Sequence, residues 1–169
     1  VIGVWGTSSR QGKFTLQLIL RKKFIEAGYN IGQVGTEPSS LLFGMDYVYP
    51  MGYNSSVLIK EFDTIRYLNH IINTLCTQEK DLIIVGSQSG TITYDVGNLG
   101  QFNILQYNFL IGTQPDCIVL CVNPYAVEAF ENRQKNKATS EELRKVDYFI
   151  CNNNNFQNDL YLDINFLRI

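Results

Sequence analysis

The chain has 169 residues, a formal net charge of −2 and a pI near 5.4. That length suits one domain with a proper core, and the slight acidity weighs against nucleic acid as the main partner, because nucleic-acid-binding domains usually carry a basic face. A 45% hydrophobic and 18% charged composition excludes a disordered chain, and no apolar run approaches a membrane span.

Residues 1–5 form a short apolar run read as a strand. The polar stretch after it, Gly6-Thr7-Ser8-Ser9-Arg10-Gln11-Gly12-Lys13-Phe14-Thr15, leads into an amphipathic segment. Strand, glycine-bounded loop and helix N-terminus in that order make a phosphate-binding loop. Its amides turn inward as a nest for phosphate oxygens, the helix adds its positive end, and Lys13 supplies a point charge for the terminal phosphates. Gly6, Thr7, Ser8, Ser9, Arg10, Gln11, Gly12, Lys13, Phe14 and Thr15 are therefore the predicted ligand cradle. The standard pattern has four residues before Gly-Lys and then Ser or Thr for magnesium. Here five residues separate Gly6 from Gly12, and Phe14 holds the magnesium-ligand position. A phenyl ring cannot coordinate a metal, so Thr15, one step later, is expected to touch an inner phosphate.

Leu16, Ile19, Leu20 and Phe24 recur at helical spacing, and Gly28 is a stop signal. A second strand follows over residues 30–35, then a loop-rich stretch over 36–56. In that stretch Glu37 is the preferred candidate for holding magnesium or accepting a substrate proton. Asp46 and Asp95 are weaker candidates, and Asp46 lies among Tyr47, Tyr49 and Tyr53, an aromatic group that reads as a lid or as core. Leu58, Phe62, Ile65, Leu68, Ile72 and Leu75 predict a second helix. Residues 81–85 predict a buried strand ending on Gly86-Ser87-Gln88-Ser89-Gly90. Phosphate-transfer enzymes usually place a metal-ordering carboxylate at the end of this strand. Gly86 and Phe14 thus both point to weak or atypical magnesium use.

Short helices are expected over 104–110, 125–132 and 140–145, and strands over 117–122 and 147–151. The tail from 160 to 169 fits either a strand or a helix. Cys76, Cys117, Cys121 and Cys151 form no Cys-x-x-Cys pair. They read as buried free thiols of a reducing cytoplasm. His70 is given no chemistry. Near-continuous apolar strands separated by helices indicate an α/β fold of three layers, with a mostly parallel sheet covered by helices on both faces. Residues 1–169 read as one such domain, and the start without methionine suggests part of a longer protein.

The loop resembles that of dethiobiotin synthetase and its P-loop relatives. It resembles more closely a bacterial family whose carboxy-terminal P-loop domain is dethiobiotin-synthetase-like and which includes D-glutamate N-acetyltransferases. That family's loop typically ends Gly-Lys-Met-Thr, similar to Gly12-Lys13-Phe14-Thr15. Its Val-Glu-Gly-Gln-Gly and Gly-Ser-Gln-Pro-Asp segments are similar to residues 85–90 and 112–116, so the resemblance spans about residues 1–124. It implies nucleotide or phosphate contacts for Gly12, Lys13, Thr15 and Gln88, while a role for the family's glutamate does not carry over to Gly86. The wording also resembles a variant from bacterial peptide-maturation clusters. Three functions follow as expectations: an ATP-binding enzyme acting on a small molecule or peptide, an acetyl-CoA-dependent N-acyltransferase, or a non-hydrolysing scaffold. All three expect a nucleotide or CoA-type ligand, no nucleic acid and no membrane, and leave a homo-oligomer open.

Overall fold

The computed structural model describes residues 1–6, 11–49, 57, 59–88, 104–122 and 148–151. The described strands are β1 (Ile2–Gly6), β2 (Ile31–Gly35), β3 (Tyr47–Val48), β4 (Leu82–Gly86), β5 (Cys117–Val122) and β6 (Tyr148–Cys151). They form one sheet in the order β3-β2-β4-β1-β5-β6, every pair parallel. The helices are α1 (Lys13–Glu26), α2 (Glu61–Thr77) and α3 (Ile104–Thr113), with a 3-10 turn over Pro38–Phe43.

Alternating side chains send each strand's residues to opposite faces of the sheet. On one face Leu16, Leu20 and Phe24 of α1 pack over Ile2, Val4, Ile31, Ile84, Val119 and Cys121. On the other, Leu68, Ile71 and Leu75 of α2 and Phe109 of α3 pack over Val34, Ile83 and Val85. Trp5, Ile118 and Leu120 close that face beside Leu110. The architecture is thus the expected three-layer α/β fold with helices on both faces. α1 stops where Gly28 takes φ 92°. Its N–H bonds to the Ile25 carbonyl at 2.9 Å and that of Tyr29 to Phe24 at 3.0 Å, a Schellman stop closed by the Phe24–Tyr29 ring contact.

Several expectations change. The stretch after β2 is not featureless: it holds the 3-10 turn and β3, which adds to the outer edge of the sheet in register with Val34 and Gly35. Asp46 braces that edge: its carboxylate accepts the Gln33 N–H at 2.8 Å and faces the Lys80 ammonium at 3.5 Å. Tyr49 is core and no lid, 1% exposed and edge-on to Phe109 at 4.9 Å. The buried stripe of α2 is Thr64, Leu68, Ile71 and Leu75, while Phe62 is 69% exposed, with the Arg66 guanidinium 5.9 Å above its ring. Cys76 is exposed, so the expectation of four buried thiols fails there. The expectations for Tyr53, Asp95, the helices over 125–132 and 140–145, and the tail lie outside the described residues.

Candidate functional site

β1 lies between β4 and β5: the strands that follow it up to β4 lie on one side, and β5 and β6 lie on the other. Ligands on open parallel sheets bind beyond the carboxyl ends of the strands at such a switch point. Gly6 ends β1 and Lys13 begins α1 there. The expectations for Thr7, Ser8, Ser9 and Arg10 fall outside the described residues.

The chain enters α1 through Gly12 at φ 87° and ψ 9°, a left-handed conformation that costs a side-chain-bearing residue far more than glycine. The Gly12 carbonyl accepts the Leu16 N–H at 2.9 Å and closes the first turn. No side chain among the described residues caps that turn, and no acid sits in it. The partial positive charge of the helix start therefore meets no acid from its own first turn, which suits an anion.

Lys13 folds back over the end of β1. A Cβ placed on Gly6 would stand 2.8 Å from Lys13 Cδ, 2.9 Å from Cγ and 3.4 Å from Nζ. The aliphatic stem thus lies on the glycine backbone, and the ammonium stands above the strand end. Only a glycine allows so close an approach. Burial pulls the Lys13 pKa below its ordinary value, while the charges of Cys121 and Glu37 act in the opposite direction. An anion in the loop would favour the charged form and offset that desolvation. Charging Lys13 costs folding stability below its lowered pKa, and the cost is relieved as pH rises through the window up to 10.5. Affinity for a phosphate ligand runs the other way. It should hold steady below the lowered pKa and fall as pH rises through it, earlier than an ordinary lysine would dictate. Binding titrations across alkaline pH check this, with Lys13→Met expected to be weaker throughout and to lack the alkaline limb.

The remaining predicted residues divide. Gln11 is buried, Thr15 is exposed, and Gln88 is half-buried just past β4, its carbonyl accepting the Ser87 hydroxyl at 3.2 Å. Phe14, in the magnesium-ligand position, packs edge-on against Phe43 of the 3-10 turn at 5.3 Å. Arg21 Nη1 donates to the Phe43 carbonyl at 2.8 Å. The position thus ties α1 to the turn after β2. Glu37 is exposed at the start of that turn, where its carbonyl accepts the Ser40 N–H at 2.9 Å. Among the described residues no group of three His, Cys, Asp or Glu side chains could hold a metal ion.

Two neighbours escaped the sequence reading. Cys121 of β5 stands in register with Gly6, and burial pushes its thiol up to about 11 against the opposing charge of Lys13. Thiolate is the reactive form, so Cys121 should resist iodoacetamide near neutral pH while exposed Cys76 is alkylated, as peptide mass mapping would show. Gln17 is the second. It is 1% exposed, one turn beyond Lys13, and its amide lies on the backbone of Gly86. A polar residue inside the apolar stripe of Leu16, Leu20 and Phe24 was the available signal.

Residues 1–149 match the family described as the domain of unknown function (DUF1611_C) P-loop domain. Among curated proteins none matches the chain in sequence. The fold is similar to that of the signal recognition particle 54 kDa protein from Aeropyrum pernix K1, solved in complex with GDP, with TM-score 0.57 and 15% identity over 90% of this chain and 35% of that one. It is also similar to the signal recognition particle receptor FtsY from Elizabethkingia anophelis, with TM-score 0.54 and 14% identity over 88% of this chain and 48% of that one. The chain therefore spans less than half the length of either structure. Among the described residues no helix is long and apolar enough to cross a membrane.

Proposed function

Because the chain belongs to the DUF1611_C P-loop domain family, we propose that it binds the phosphates of a nucleotide at the carboxyl end of β1, with ATP the first choice. The observation that carries this reading is the fold of Lys13 over Gly6, which sets a partly desolvated ammonium above the strand end beside a helix start that no described side chain caps. Gly6, Thr7, Ser8, Ser9, Arg10, Gln11, Gly12, Phe14 and Thr15 form the cradle in this reading, with Gln88 across the rim. GDP in the archaeal structure of similar fold is in keeping with a nucleoside phosphate as ligand.

Lys13 neutralises a terminal phosphoryl group, and the amides hold its oxygens, so that a small-molecule or peptide acceptor meets an oriented phosphate. Glu37 is the carboxylate whose charge Lys13 feels, and it is the proton acceptor or magnesium contact of this scheme. As a magnesium contact it would act together with phosphate oxygens. A second reading takes acetyl-CoA as the ligand and N-acyl transfer as the reaction. Phe14 and Gly86 favour it, because neither can organise a metal for phosphoryl transfer. The resemblance to D-glutamate N-acetyltransferases supports it too, and the likeness to peptide-maturation variants supports a scaffold that binds without turnover.

Calorimetry with ATP, GTP and acetyl-CoA, each with magnesium or with chelator, tests the proposal. Binding of ATP or GTP supports a nucleotide site, and binding of acetyl-CoA alone moves the function to acyl transfer. A chain that binds none of them has lost the premise.

A further inference from the structure

The end of β4 is built in an unusual way. Gly86 lies beside Val4 of β1, on the same sheet face as Ile84, directly beneath α1. A Cβ placed there would stand 2.5 Å from Gln17 Nε2, 2.7 Å from Oε1 and 2.9 Å from Cδ. The Gln17 amide thus fills the volume that any side chain at residue 86 would need. Its Nε2 donates to the Lys13 carbonyl at 3.4 Å, a long bond, while Oε1 accepts none among the described residues. A buried amide oxygen without a donor is costly, and its position one turn from Lys13 gives it a use.

We propose that Gln17 and Gly86 form a mutually exclusive pair that replaces the β4 carboxylate by a neutral amide, so that the terminal phosphate is held without dependence on a divalent cation. This rests on the nucleotide reading above. A carboxylate at the strand end recruits magnesium by charge, because that cation prefers anionic oxygen ligands. A neutral carbonyl oxygen accepts a hydrogen bond from a water or a ligand donor and offers no net charge. Gln17 is thus a positioning residue, acting on what surrounds the phosphate. The amide is the far end of a flexible side chain, but at 1% exposure it sits within close packing, so a side chain at residue 86 would have to displace it there.

The test compares wild type, Gly86→Asp, Gln17→Ala and Gln17→Ala/Gly86→Asp, each by thermal melting and by ATP and ADP calorimetry with magnesium or EDTA. Gly86→Asp alone should melt at least about 4 °C below wild type, and Gln17→Ala on top of it should recover most of that loss. Wild-type affinity should change by less than about threefold between magnesium and EDTA, whereas the double variant should bind at least about tenfold tighter with magnesium. A wild type that gains about tenfold or more from magnesium overturns the proposal. So does a Gly86→Asp chain that melts with wild type, since the pair would then not exclude each other. Failure of wild type to bind either nucleotide sinks the underlying reading, and the melting cycle then decides the pairing by itself.

Discussion

Lys13→Ala should leave the melting temperature near that of wild type and abolish measurable nucleotide binding. Its ammonium is partly desolvated, and its stem covers Gly6 without being a large part of the apolar core. Removing one partner of a buried charge pair costs about 3–5 kcal/mol, which is a loss of more than about a hundredfold in affinity. Folding should be spared or even helped, because burying that charge works against the native state at neutral pH. Calorimetry and a melting curve on the same sample read both halves. Unchanged affinity would mean that the lysine covers the strand end without meeting a ligand. Lys13→Arg should not restore full binding, because a planar guanidinium cannot follow the ammonium over Gly6.

Trp5→Ala should be the most damaging of the single core substitutions. Trp5 is 1% exposed, one residue before the loop, and packs with Ile118, Leu120 and Leu110 on the face away from α1. Truncating a buried tryptophan costs about 3–5 kcal/mol, because the surroundings only partly collapse into the space left. For a domain of this size that corresponds to a drop of about 10 °C in Tm. As Trp5 is the chain's single tryptophan, the comparison needs circular dichroism in place of intrinsic fluorescence. Gly6 continues the same strand, so the variant should also bind nucleotide more weakly, with Lys13 intact. A Tm within about 2 °C of wild type would show that β1 is not the anchor of the sheet.

Gly86 and Phe14 matter for the same reason seen from two sides. By sequence position both fall where the phosphate-loop pattern and phosphate-transfer enzymes place a metal-ordering oxygen, and in the structure both positions are taken up by packing. Phe14 meets Phe43, and Gly86 meets the amide of Gln17. Asp46, the other acid of the β2 side, is committed to the Gln33 amide and Lys80. Glu37 is left as the carboxylate nearest in electrostatic effect to Lys13 among the described residues.

What the sequence by itself determined was local. The apolar runs at β1, β2, β4 and β5 and the stripe of Leu16, Leu20 and Phe24 are patterns within a few residues, and they specify parallel strands with covering helices. Gly12-Lys13 before a helix, and Gly28 after one, report backbone conformations that few other residues adopt. The family could be read from the same stretches. Tertiary structure alone decided the rest. Whether Tyr47–Val48 is a strand depends on the free edge of β2 beside it, and Tyr49 is core because Phe109, sixty residues later, packs on it. The rotation of α2 that exposes Phe62 follows from the sheet face it must cover. The meeting of Gln17 with Gly86 joins a helix to a strand far along the chain, and no periodicity carries it. Patterns along a chain encode conformation, whereas the partner of a buried polar group is set by which elements become neighbours.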